Sequence, residues 1–290
     1  MLTKEEFQSK IRSGLHFLDG ATGSNLQKAG MPRGCCTEEW VLSNPETLVS
    51  LQRAFRDAGS QIVIAPTFQA QPVALKKVGL DRQTEAINAQ LVNLSRSAVP
   101  DCLIAGDLTT FAMCLDSWDE SNFDIMVEAY RRQIRGLIDG GADLLLAETL
   151  MYPQEAEAIL TAAEMEGATC CAYTFTMQSD GALFSGRDVA PVLRELEESG
   201  AAAVGFNCVS ANDFLPGLVQ KLRRTCKGPL ICKPNAGNPV IGDSGIAVYD
   251  MDPGTFGRIL SACQQSGADL LGGCCGTEPA HIRALRDACR

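Results

Sequence analysis

The strongest constraint on this chain is a unit that recurs along its length. A short apolar run gives way to an amphipathic stretch, and a glycine then leads back into the next apolar run. DAGSQIVIA (57–65), DGGADLLLA (139–147), ESGAAAVGF (198–206) and QSGADLLGG (265–273) all show this return. A glycine suits the left-handed residue that ends a helix, and an apolar run of this kind suits a strand buried on both faces. The predicted strands are Leu15–Asp19, Ile62–Thr67, Cys102–Asp107, Leu144–Glu148, Thr169–Thr174, Ala202–Asn207, Leu230–Pro234 and Leu270–Gly273. Helices such as Pro45–Ala58, Asp124–Gly140, Pro153–Glu166 and Asp213–Cys226 separate them. Eight β–α units in 290 residues predict an α/β fold, a (β/α)8 TIM barrel, with a doubly wound sheet as the alternative. No composition shift or linker divides the chain, so residues 1–290 are read as a single domain.

A barrel of this kind places its functional groups at the C-terminal ends of the strands and in the loops that follow. Asp19, Thr67, Asp107, Glu148, Asn207, Cys208, Asn235, Cys274 and Cys275 all fall there. The net charge of −10 argues against a nucleic-acid partner, which requires a basic surface. The Arg131–Arg132 and Arg223–Arg224 pairs lie in helical stretches and read as solvated faces. No apolar run reaches the roughly 18–20 residues of a membrane span. The opening MLTKEEFQSKIRSG is too polar for a secretory signal, so a cytoplasmic location is expected.

Thirteen cysteines, an odd number, do not form a disulfide framework in a reducing compartment. With only two histidines, His16 and His281, any metal would be held mainly by thiolates or carboxylates. Cys170–Cys171 and Cys102 fall at strand beginnings, the closed end of the barrel, and read as packing. Cys226, Cys263 and Cys289 fall near helix ends, and Cys232 lies inside a strand; these too read as packing. Cys208, Cys274 and Cys275 remain at strand ends, with Cys35, Cys36 and Cys114 in loops of the same face. Three thiolates plus one exchangeable position is the form of a catalytic zinc site. Adjacent strand residues point to opposite faces, so Cys274 and Cys275 can share a metal only if the backbone leaves strand geometry. Gly272, Gly273 and Gly276 allow that departure. Buried thiols remain the alternative reading, and Cys35–Cys36 a competing pair. A different enzyme class is also open, because NAGNP and GGCCGT could bind phosphate through backbone amides, as in an aldolase or isomerase. Lys233 is the lysine available to such an enzyme, and no partner for it can be read from the sequence.

LDGATGSNLQ (18–27), GFNC (205–208), KPNAGNP (233–239) and GGCCGT (272–277), in this order, closely resemble the homocysteine S-methyltransferase family. That family includes the homocysteine-binding domain of cobalamin-dependent methionine synthase and the betaine- and S-methylmethionine-dependent enzymes. The resemblance covers about Gly14 to Pro279. It implies one zinc per chain on Cys208, Cys274 and Cys275, with Asn235 as an oxygen donor when substrate is absent. It further implies that Asp19 and Glu148 hold the amino group of homocysteine and that amides near Ala21 and Gly23 meet its carboxylate. No catalytic residue beyond the zinc site and no tightly bound organic cofactor are expected. The loop DGALFSGRDV (180–189) is similar to an SG-containing loop of the family. AGDLTTF (105–111) departs from an expected Ser-x-Gly-Pro turn and brings Asp107 instead. The expected chemistry is methylation of homocysteine to methionine. Folate and cobalamin modules of methionine synthase are not in this sequence, so the donor is expected to be a small molecule or a separate methyl-corrinoid protein. The LDGATGSNLQ opening tilts toward the corrinoid route. A non-catalytic partner of a corrinoid protein is the remaining alternative.

Overall fold

The computed structural model describes residues 1–14, 16–114, 122–178, 180–241 and 247–289. Seven parallel strands form one curved sheet: β1 (Ile62–Ile64), β2 (Leu103–Thr109), β3 (Leu144–Leu150), β4 (Cys171–Phe175), β5 (Ala203–Ser210), β6 (Leu230–Asn235) and, after a hairpin, β9 (Leu270–Leu271). The hairpin pairs β7 (Pro239–Ile241) with β8 (Ala247–Tyr249) antiparallel. Phe17 bridges to Leu271 of β9 and Leu18 to Ile62 of β1, both parallel, and these two contacts close the sheet into a barrel. The predicted first strand is therefore present only as this pair of bridges; Leu15, at its predicted start, lies outside the described residues. The remaining seven predicted strands are found, with ends shifted by a few residues. The hairpin was not anticipated. Among the described residues no helix is long and apolar enough to cross a membrane.

Strand alternation sorts the side chains into two apolar layers. Val63, Leu145, Tyr173, Val204 and Phe206 point outward and pack under the surrounding helices. Ile62, Ala105, Leu144, Leu146, Ala172, Ala203 and Ile231 point into the barrel. The helix Lys4–Arg12 closes the bottom of this interior with Phe7 and Ile11, both buried. Its Gln8 side chain donates to the Ala202 carbonyl at 3.1 Å, which ties the plug to the base of the sheet. Continuing the same alternation toward the other end, the next inward positions are Asp107, Glu148, Asn207 and Lys233, all buried. The barrel is thus apolar below and polar at its mouth.

Candidate metal centre and substrate pocket

Two strands change course at the mouth. The β5–β6 register shifts between Asn207 and Ser210, and Cys208 adopts φ 56, the left-handed region that side chains other than glycine rarely enter. The β3–β4 register shifts likewise between Ala147 and Leu150, with Thr149 at φ 61. These bulges re-aim the residues beside them, as bulges near functional sites commonly do. The third departure follows β9, which ends at Leu271, so Cys274 and Cys275 lie outside the strand. The loop is fastened by Cys274 N–H to the Pro234 carbonyl at 2.8 Å and by Ala236 N–H to the Cys275 carbonyl at 3.0 Å. Gly276 turns the chain at φ 79, and a Cβ there would strike the Tyr249 ring. Gly272 serves a different need: a Cβ would lie 2.9 Å from the Asp19 carbonyl, which the loop must pass closely.

The result brings together the Sγ atoms of Cys208, Cys274 and Cys275, all within 4.8 Å of one another, with Cys208 and Cys275 at 4.0 Å. Cys274 is buried and the other two are half-buried, so the cluster faces the open end. Hydrogen bonds from Cys208 and Cys274 outweigh burial and lower the Cys275 thiol, while hydrogen bonds with Cys274 and Cys275, joined by burial, push Cys208 up. Asn235 is also buried and its Oδ1 has no hydrogen-bond partner. Three soft sulfurs and an orphaned oxygen donor fit a divalent metal of the zinc type.

A cavity of about 430 Å³ adjoins the sulfurs and reaches Gly23, Glu38, Asp107, Glu148 and Lys233. Asp19 is buried beside it. One Asp19 oxygen accepts from Ile64 N–H at 2.9 Å and the other, Oδ1, is unpartnered; burial, opposed by Lys233, pushes its carboxyl up to about 7. Asp107 has the same character, with Oδ1 unpartnered and its carboxyl pushed well above the usual range by burial and by Glu148. Glu148 is bound by Lys233, Nζ to Oε2 at 2.6 Å, with both side chains less than one-tenth exposed. Burial opposes the charge of Lys233, but Glu148, Cys274 and Asp19 together outweigh it and keep the ammonium protonated. Lys233 is thus the functional-site residue whose role the sequence reading missed, and its partner is a carboxylate. The Ala21 amide already donates to Thr277 Oγ1 at 3.0 Å, whereas Gly23 opens the helix Gly23–Lys28 at the cavity wall.

The other cysteines are placed apart from this centre. Cys102, Cys170, Cys171, Cys226, Cys232 and Cys263 are buried, and Cys289 is half-buried against the core. Cys35 is exposed, and its thiol donates to the Pro32 carbonyl at 3.0 Å. Cys36 donates at 3.3 Å to Glu38, whose other oxygen accepts from Gln69 N–H at 2.8 Å. Cys36 therefore supports the outer wall of the cavity through Glu38, and neither cysteine of the pair is part of the sulfur cluster. The side chain of Cys114 lies outside the described set.

Comparison with known proteins agrees with this geometry. Methionine synthase of Mycobacterium tuberculosis is 26% identical over 289 residues, which covers 93% of this chain and 24% of that protein. The Mycobacterium leprae methionine synthase matches to the same extent. The chain thus spans about a quarter of the length of these relatives. Among solved structures, the metallated form of the homocysteine methyltransferase MmuM from Escherichia coli superposes with a TM-score of 0.83 at 25% identity, covering 97% of this chain and 99% of that one. Its oxidized form gives a TM-score of 0.79 at 26% identity, covering 94% and 95%. The sequence profile described as homocysteine S-methyltransferase matches residues 16–289, and on that match the chain belongs to the homocysteine S-methyltransferase family.

Proposed function

We propose that this chain methylates the sulfur of homocysteine, giving methionine, with one zinc ion held by Cys208, Cys274 and Cys275. The observation that carries this reading is the convergence of three sulfurs within 4.8 Å at the wall of a cavity lined by buried carboxylates. A zinc ion bound there lowers the pKa of a coordinating substrate thiol, so that the sulfur is a nucleophile at neutral pH. The chain's own groups supply recognition. Asp19 and Glu148, joined by Asp107, offer carboxyl oxygens to an α-ammonium group, whose charge would favour their ionised forms, and Lys233 balances the charge of Glu148. The amides around Gly23 are on the same wall for the carboxylate. Asn235 Oδ1 supplies an oxygen donor when no substrate sulfur is present. In the transfer itself a new S–CH3 bond forms as the donor's bond to the methyl carbon breaks, and no further acid or base from the chain is required.

The donor is a small methylated molecule or a methyl-corrinoid protein, the LDGATGSNLQ opening favouring the latter. The phosphate-binding alternative loses support here. Its only candidate lysine is committed to Glu148, and the cavity is acidic. The test is metal analysis of the purified protein combined with proton release on adding homocysteine, followed by a panel of methyl donors. About one zinc per chain and release of the thiol proton are expected. A protein without stoichiometric metal that releases no proton would refute the proposal.

A further inference from the structure

Asn207 ends the inward-facing row of β5, is fully buried, and uses each polar atom of its side chain. Its Oδ1 accepts from the Thr149 backbone N–H at 2.7 Å and from the Thr174 hydroxyl at 2.9 Å. Its Nδ2 donates to Thr149 Oγ1 at 2.7 Å and to Cys274 Sγ at 3.8 Å. One carboxamide on β5 thereby reaches β3, β4 and the loop after β9. Among the described residues, the two non-glycine positions with left-handed backbone are Thr149 and Cys208. Asn207 holds the first by both its backbone and its side chain, and directly precedes the second. A β-branched residue such as Thr149 enters that region only where its surroundings over-determine it.

We propose that Asn207 is a positioning residue of the metal centre: it fixes the turn at Thr149 against the turn at Cys208 and places an N–H on the Cys274 sulfur. The proposal rests on the metal-binding reading above. The consequence of the first half is a constant separation between Glu148, next to Thr149, and the three sulfurs. An amino acid anchored by its ammonium can present its sulfur correctly only if that separation holds. The consequence of the second half is electronic, because an N–H directed at a metal-bound sulfur withdraws charge from it. Aspartate would keep both acceptor bonds, lose both donor bonds and set a negative charge beside three thiolates. Alanine would lose all four.

The test compares Asn207→Asp, Asn207→Ala and the double variant Asn207→Ala/Thr149→Gly, each loaded with zinc or cobalt(II). Metal affinity by chelator competition should fall about 10–100-fold in both single variants. The thiolate-to-cobalt charge-transfer band should move to lower energy in both. Glycine takes the left-handed conformation without strain, so Thr149→Gly should restore the thermal midpoint of metal-free Asn207→Ala and its KM for homocysteine. It should leave the cobalt band shifted, since no N–H returns to Cys274. Should Asn207→Ala not fold, the near-isosteric Asn207→Asp carries the affinity and spectral measurements. Unchanged affinity and an unchanged band in Asn207→Asp overturn the proposal alone. Wild-type protein that binds no stoichiometric metal overturns both the proposal and the functional reading.

Discussion

The same dipeptide stands at both ends of this barrel with opposite consequences. At the base, Cys170 and Cys171 obey strand alternation: Cys170 packs inside the barrel and Cys171 outside it, under the helices. Burial pushes both thiols up to about 12, so they behave as small apolar side chains. At the mouth, Cys274 and Cys275 have left the strand, and their sulfurs meet each other and Cys208. Adjacent cysteines become a ligand pair only where the backbone abandons the extended conformation that would separate them. Chemistry here is decided by the path of the chain more than by residue type.

The comparison is broken most directly at the ligands. Cys208→Ser or Cys275→Ser should abolish stoichiometric metal binding and reduce methyl transfer by more than ~100-fold, beyond the cost of losing an outer-shell partner. Cys170→Ser should change neither; loss of metal from that variant, measured by elemental analysis, would erase the distinction between the two ends. The next effect concerns the polar layer that only the mouth possesses. Lys233→Met leaves Glu148 buried without its partner and should destabilise the protein by about 3–5 kcal/mol in denaturant unfolding. Adding Glu148→Gln should recover most of that stability, and failure to do so would show that the pair is not the reason for the loss.

A smaller effect is pH-dependent. The Asp19 carboxyl is raised to about 7 from an ordinary 3.8, so the folded state holds its proton more tightly than the unfolded state. Its contribution is complete below about pH 4 and is lost as pH rises through 7. The Tm of metal-free, substrate-free protein should therefore fall between pH 5 and 8, and Asp19→Asn should flatten part of that slope. Identical slopes in the two proteins would contradict the assignment. The smallest change is expected at the base, where Cys171→Ala should cost about 1 kcal/mol, with metal content and turnover intact.

Much of this was legible in the sequence because glycine-ended helices and apolar runs repeat with little variation. The placement of Cys208, Cys274 and Cys275 followed from their positions after predicted strands. What escaped was whatever a local pattern could not express. Lys233 sits in an apolar strand, and a charge there reads as an exception. Yet it lies two residues beyond Ile231, which faces the barrel interior, so alternation already directed it inward. The first strand shrank to Phe17 and Leu18 because its pairing is settled by the two neighbours it joins. The β7–β8 hairpin was hidden inside a loop, and its importance appears only where Tyr249 lies against Gly276. Cys35–Cys36 offered the right residue type on the right face, but only the fold shows Cys36 spent on Glu38.

The seam at Phe17–Leu18 has a consequence for the order of events during synthesis. The residues that bridge it stand near the start of the chain, while Leu271, which pairs with Phe17 and accepts from the Leu18 N–H, is translated after the other described strands of the sheet. Until that strand leaves the ribosome, the nascent sheet has an open edge. Cys208 meanwhile waits without the two sulfurs that complete its cluster. Ring closure and completion of the metal centre are thus one late step, so a ribosome stalled before residue 270 would carry a chain with most of its helices and no site to load.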